Sequence, residues 1–189
     1  MANQSRKDLP VAFQVFSQLR SHYGSRFHAW LHTNTLVGYW NVQLLAAECG
    51  VSDCLEVSLS ANDEQLACRY SACDCTIVPS AGEGFCYPLA ESMACGTAAV
   101  TTGYAGGQEL VPSNCRPTPT GYRVDTQHNT LRAIPNPHHF STCAINQIDL
   151  KLQDPEQRRQ EMIDHTKHLD WKLLRRPWEH WLNEGLKNG

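Results

Sequence analysis

The apolar positions of this chain fall into short blocks with two different periods. Cys75-Thr-Ile-Val78 and Ala98-Ala-Val-Thr101 are compact runs of the kind that form strands buried on both faces. Phe27 to His32 and Leu55 to Leu59 read as two further strands. Between these blocks the spacing turns helical. Ala12, Val15, Phe16 and Leu19 share one face of a first helix, with Asp8 as its cap and Pro10 in its first turn. Asn41 to Cys49 predicts a short helix stopped by Gly50. A helix opening at Ser60–Glu64, capped by Asn62 or Asp63, puts Leu66 and Tyr70 on one face.

The stretch Cys75 to Gly96 condenses the pattern. After the strand, Pro79 and the small residues through Gly84 impose a loop. Pro88 suits a first helical turn, Leu89, Met93 and Ala94 form the predicted buried face, and Gly96 closes the helix in the left-handed conformation. A second loop, Thr102 to Gly107, leads to a short helix start at Gln108-Glu109-Leu110. From Asn114 to Asn136 only Tyr122–Val124 reads as a strand, and Ile145 to Leu152 is helix or linker. Asp154-Pro155-Glu156 starts a helix that runs to about Lys167. Trp171, Leu174, Trp178, Trp181 and Leu182 mark a final helix, which Pro177 is expected to kink or break. Alternating strands and helices predict an α/β fold: a Rossmann-like parallel sheet with helices on both faces. Ligands of such sheets sit at the carboxyl ends of the strands. That singles out the loops 33–38, 59–62, 80–87 and 102–107.

Composition narrows the class. With 189 residues the chain fits a single domain spanning 1–189, large enough for one core. A net charge of −3 carries no electrostatic footprint for nucleic acid. No apolar run reaches membrane-spanning length, and Met1 to Arg20 lacks the layout of a signal peptide, so the expected location is cytoplasmic. Nine cysteines without a secretory signal read as free thiols rather than a disulfide frame. Cys73-x-Cys75 is too tight for a zinc pair. His138, His139 and Cys143, with Cys115, are read as a polar loop and buried thiols in preference to a metal site. From Asp149 to Gly189 eight basic and eight acidic residues balance, as on solvated helix faces.

The chemistry concentrates in the glycine loop and the helix after it. Unpaired N–H groups at a helix start, behind two close-approach glycines, make an anion site. Two carboxylates flank it, Glu83 in the loop and Glu91 in the helix. A bare phosphate site would avoid them, whereas a ligand with both phosphate and sugar hydroxyls would use them as acceptors. Arg6 and Lys7, awkward ahead of a helix N-terminus, either reach into solvent or face a bound anion.

The Glu-x7-Glu spacing in EGFCYPLAESMACG, from Glu83 to Gly96, resembles the signature of the retaining glycosyltransferases of the GT-B fold, glycosyl transferase group 1. The resemblance implies one half of that fold, the carboxyl-terminal domain that holds a nucleotide-sugar donor. It implies that Glu91 accepts from ribose hydroxyls and Glu83 from hydroxyls of the donor sugar. The diphosphate is then held by Lys7 and by backbone N–H groups of Leu89 and Ala90, with Arg6, Gly84, Phe85, Tyr87 and Pro88 around the same ligand. Glu83 and Lys7 are the implied catalytic pair. No cofactor or metal is required; the substrate is a UDP- or GDP-sugar, and nothing resembles an Asp-x-Asp metal site.

Residues 1–5 leave no room for the strand that precedes the first helix in this family, nor for the amino-terminal acceptor domain. The expected function is therefore a hexosyltransferase fragment that binds donor and is inactive alone. Gly106-Gly107 and Glu109 resemble the family's second glycine loop, one residue short. Cys86 stands where glycine is usual, and its side chain is expected to narrow the loop. Two alternatives are a non-catalytic binding module and an NAD-dependent oxidoreductase domain. Against the latter, Gly82-x-Gly84 is followed by Tyr87 where the dinucleotide fingerprint needs a small residue.

Overall fold

The computed structural model describes residues 2–126 and 128–187; Met1 and the last two residues of the expected 1–189 span lie outside it. A 3-10 turn, Ser5–Lys7, leads into α1 (Leu9–Tyr23). Then follow β1 (Ala29–His32), α2 (Val42–Glu48), β2 (Leu55–Ser58), α3 (Asp63–Ala72), β3 (Cys75–Val78), α4 (Tyr87–Ala94), β4 (Ala98–Thr101) and α5 (Gly107–Leu110). The hairpin β5 (Gly121–Asp125) and β6 (Thr130–Ile134) precedes α6 (Pro137–Gln153), α7 (Pro155–Thr166) and α8 (Trp171–Lys187). This is the mixed α/β order that the periodicity predicts.

β1 pairs in parallel with β2, and β3 in parallel with β4, while β5 and β6 are antiparallel. Among the described residues the two parallel pairs are separate two-stranded sheets, not the one continuous sheet the pattern implies. The apolar core is divided the same way. Leu9, Phe13, Leu31, Val42, Ala46 and Val51 form a cluster around β1 and α2. A larger one gathers Val15, Leu89, Met93, Val100, Phe140 and Met162 around β3 and β4. Helix α1 contributes to both and joins the halves. β4 is buried throughout, whereas Cys75, Thr76 and Ile77 of β3 are only half-buried, against the expectation of burial on both faces.

Several local expectations are corrected. Ala94 is exposed; Ser92 takes its place in the α4 interior because its hydroxyl donates to Thr76 Oγ1 at 2.7 Å. Asp8 has a left-handed backbone (φ 49°) and makes no side-chain cap; its carboxylate lies 3.8 Å from Arg123 instead. Asn62 does cap α3, in a reciprocal box with Gln65. The presumed polar loop around His138 and His139 is the first turn of α6, where Asn136 caps and Pro137 occupies the position that needs no N–H donor. Helix α8 runs through Pro177 rather than ending there. No helix among the described residues is long and apolar enough to cross a membrane.

Candidate functional site

The carboxyl end of β3 passes into a loop held in place from three directions. From the amino terminus comes the 3-10 turn: the Ala81 N–H donates to the Arg6 carbonyl at 2.8 Å. From the hairpin comes β6, whose Ala133 N–H donates to the Ala81 carbonyl at 3.0 Å. From the loop after β4 comes Gly106, whose N–H donates to the Glu83 carbonyl at 3.0 Å. A Cβ on Gly106 would lie 1.7 Å from the Gly84 carbonyl oxygen, so only glycine permits this approach. The second glycine loop is thus a buttress for the first.

These contacts bring Arg6, Lys7 and Glu83 together. The Lys7 ammonium is paired with Glu83 Oε1 and the Arg6 guanidinium with Oε2. The Ser80 hydroxyl donates to Oε1 at 2.8 Å. Both Lys7 and Glu83 side chains are 10% exposed, so neither simply reaches into solvent. Burial opposes ionisation of Glu83, but the hydrogen bonds from Lys7 and Ser80 and the two cationic charges outweigh it. The carboxyl is therefore held below its ordinary value. Glu83 is a fixed acceptor of hydrogen bonds, and Lys7 a cation held in place by it.

An open cavity of about 530 Å³ lies over this cluster, lined by Arg6, Gly82, Glu83, Gly84, Tyr104 and Arg132 among others. Arg132 comes from β6, where Asp125 orients it at 3.2 Å. Tyr104 is fixed by its hydroxyl, which donates to the Leu131 carbonyl at 2.9 Å. Sequence reasoning missed Ser80, Tyr104 and Arg132. The hairpin that delivers Arg132 had only half its signal, since Tyr122–Val124 read as a strand and Thr130–Ile134 did not.

Glu91 occupies a different setting. It is exposed on α4 and accepts a hydrogen bond from the Tyr70 hydroxyl at 3.1 Å. Burial, then the Glu91 charge, push the Tyr70 phenol well above its usual range, so it stays a donor. Beside it Ser58 Oγ accepts from Trp30 Nε1 and bonds His32 Nδ1, each at 3.0 Å, at the carboxyl ends of β2 and β1.

The remaining predicted residues are distributed around these two settings. Phe85 and Tyr87 are exposed and meet edge-to-face, 5.2 Å between ring centroids. Pro88 and Ala90 are half-buried. The Leu89 side chain lies wholly in the core, and its N–H donates to the Cys86 carbonyl at 3.1 Å, so a phosphate oxygen there would have to share that donor. Cys86 does not narrow the loop as expected. Its side chain is buried in the core beside Leu89, and what it carries is a left-handed backbone, φ 73°, a conformation that favours glycine. Glu109 is exposed on α5. No group of three or more His, Cys, Asp or Glu among the described residues is placed to hold a metal ion.

Residues 5–131 match the model for glycosyl transferases group 1. The chain belongs to this family. The match runs from the 3-10 turn that carries Arg6 and Lys7 to the start of β6, and it displaces the dinucleotide-oxidoreductase alternative. Curated relatives include a D-inositol 3-phosphate glycosyltransferase of Thermomonospora curvata, 28% identical over 134 residues, which are 69% of this chain and 27% of that protein. An MMP alpha-(1->4)-mannosyltransferase of Mycolicibacterium hassiacum is 37% identical over 67 residues, 35% of this chain and 16% of that protein. The chain thus spans about a quarter or less of these relatives.

Among solved structures, a glycosyltransferase from Rickettsia africae superposes with a TM-score of 0.71 at 20% identity, covering 100% of this chain and 47% of that one. Sucrose-phosphate synthase of Thermosynechococcus elongatus gives 0.71 at 18%, covering 98% and 44%. Anabaena HepE, solved with UDP and glucose, gives 0.66 at 16%, covering 100% and 47%. The fold is that of one part of a GT-B glycosyltransferase.

Proposed function

We propose that these 189 residues form the donor-binding half of a retaining hexosyltransferase, holding a nucleoside-diphosphate sugar at the carboxyl ends of β1 to β4. One observation carries this reading. A buried lysine and a neighbouring arginine converge on one ionised carboxylate beneath an open cavity, and a second carboxylate stands on the helix that follows. Two cations and a carboxylate within one cluster suit a ligand with both anionic and hydroxyl groups.

In this reading the Lys7 ammonium and Arg6 guanidinium face the diphosphate, while Glu83 accepts from hydroxyls of the sugar. Lys7 is fixed by Glu83 before the ligand arrives, so it stabilises the charge that grows on the departing nucleoside diphosphate without reorganising. Glu91, oriented by Tyr70, accepts from the ribose hydroxyls. No metal is needed, because the two side-chain cations supply the positive charge. The family relationship and the UDP present in the HepE structure support a nucleotide donor. The acceptor would be read by a further domain, and transfer by these residues alone is expected to be negligible.

The test is calorimetric titration with UDP and with GDP, repeated on Glu91→Ala. Saturable binding of one nucleotide, weakened by the substitution, upholds the reading. Equal binding by the variant, or efficient sugar transfer by the 189-residue chain, overturns the corresponding part of it.

A further inference from the structure

Arg123 and Arg132 stand directly opposite each other in the β5–β6 hairpin. Like charges at such positions share one face of the ladder and weaken the pairing, so a hairpin built for stability alone would avoid them. Each is answered by a carboxylate. Asp125 accepts from Arg132 Nε at 3.2 Å, and Asp8 lies 3.8 Å from Arg123. Their surroundings differ. The Arg123 side chain is 55% exposed, whereas that of Arg132 is 18% exposed and lines the cavity of about 530 Å³ over Glu83.

Arg132 is not what fastens the hairpin to the glycine loop. The backbone does that, through the Ala133 N–H on the Ala81 carbonyl, and the Tyr104 hydroxyl adds its bond to the Leu131 carbonyl. Among the described residues the Arg132 side chain is bonded to Asp125 alone, through Nε, which leaves both terminal nitrogens without an acceptor. One edge of the guanidinium is thus fixed, and the rest of its planar fork is oriented in advance. Nη1 lies against the loop. A Cβ on Gly82 would come within 3.2 Å of it and 3.5 Å of the Tyr104 ring, so a side chain at position 82 would press on both.

Gly82 immediately precedes Glu83, and neighbouring Cα atoms are about 3.8 Å apart. Glu83 is already balanced by Lys7 and Arg6. Arg132 is therefore a third cation, one residue along the loop, whose own carboxylate occupies only one edge of it. Sugar hydroxyls are satisfied by carboxylates such as Glu83 and do not call for a guanidinium. A planar fork with two free nitrogens matches a carboxylate instead.

Resting on the donor-binding reading above, we propose that the sugar of the donor is acidic and that Arg132 binds its carboxylate. The ligand class is then a nucleoside-diphosphate hexuronate. Lys7 and Arg6 serve the diphosphate, Glu83 takes the ring hydroxyls, and Arg132 separates acidic from neutral sugars. Asp125 is the positioning residue that orients Arg132, and Gly82 keeps the space in which the fork lies.

The experiment titrates the chain calorimetrically with UDP, UDP-glucose and UDP-glucuronate, and repeats the series on Arg132→Gln and Arg132→Lys. If GDP is the nucleotide that binds, GDP-mannose and GDP-mannuronate take the place of the uridine sugars. The wild type is expected to bind the uronate about tenfold or more tighter than the neutral sugar. In Arg132→Gln that ratio falls to about one. Arg132→Lys, which keeps the charge and loses the fork, lies between. A wild-type ratio of one or less overturns the proposal, and so does a preference that persists in Arg132→Gln. Equal loss of both sugars in that variant marks a merely structural role and overturns it too. Arg132-dependent binding of glucose 6-phosphate to the UDP-loaded chain, with no preference among donors, would move the anion to the acceptor and overturn the donor assignment. The two readings fail differently. Binding of UDP without discrimination between the sugars removes this inference alone, whereas absence of binding by every nucleotide removes the donor-binding reading and this one with it.

Discussion

Glu83 and Glu91 are the same residue type, eight positions apart, and the fold treats them oppositely. Glu83 is gripped: two cations and a hydroxyl converge on it, and its own backbone is pinned by Gly106. Glu91 stands exposed on a helix with a phenol to orient it. The first is a fixed part whose charge organises its neighbours, and the second is an acceptor turned outward. A spacing motif therefore names two residues without saying that they work alike. On the proposed reading, one serves stability as much as ligand, and the other serves ligand almost alone.

That contrast can be broken most forcefully from a distance. Gly106→Ala drives a methyl group into the Gly84 carbonyl, and because backbone meets backbone the loop must shift. The expected cost is about 3 kcal/mol of stability together with loss of detectable nucleotide binding, measured by denaturant titration and calorimetry.

Glu83→Gln comes next. It leaves Lys7 and Arg6 beside a neutral amide, and removing a charged hydrogen-bond partner costs about 2 kcal/mol. UDP binding should survive or tighten, since both cations are released toward the diphosphate, while any preference for UDP-sugar over UDP disappears. The same substitution tests the charge. Glu83 titrates lower when folded than when unfolded, so its contribution is complete above the unfolded value of about 4.3 and is lost as pH falls through the lower folded value. The wild type should therefore lose stability faster than Glu83→Gln on acidification below that point; parallel curves would refute the role given to the ion pair.

Glu91→Ala should leave the melting temperature nearly unchanged and weaken UDP binding by about tenfold, roughly 1.4 kcal/mol. Tyr70→Phe is the smallest change. Removing one hydroxyl from the carboxylate should weaken UDP binding by about threefold and never by more than Glu91→Ala.

Much of this was legible in the chain. Cys75 to Gly96 announces itself because each transition has its own chemical punctuation: an apolar run, then Pro79 and glycines, then Pro88, then Gly96 with φ 86°. Asn62 and Asp154 mark helix starts for the same reason. What local reading lost depends on pairings between distant positions. Ser92 looks like a surface residue until Thr76 supplies its partner, and Arg132 reaches the site only through a hairpin whose second strand has no alternation to betray it. The start of α6, read as a polar loop around His138 and His139, is marked by Pro137 directly after a capping asparagine, a pair that together makes a helix signal. The separation of β1–β2 from β3–β4 leaves no mark in the periodicity, since strand order is decided across the sheet and not along the chain.

The amphipathic last helix has an optical consequence. Of five tryptophans, Trp171, Trp178 and Trp181 lie on α8 with 71%, 65% and 66% of their surface in water. Emission from the native chain should thus be weighted toward long wavelengths typical of hydrated indole, although the protein is folded. Any event that covers α8 would report itself as a blue shift, without a label, while events confined to the carboxyl ends of the strands would reach only Trp30, packed beside His32 and Tyr70, and Trp40, whose backbone is bonded to Asn3. The chain carries two spectrally separable sets of reporters, one for its surface and one for its site.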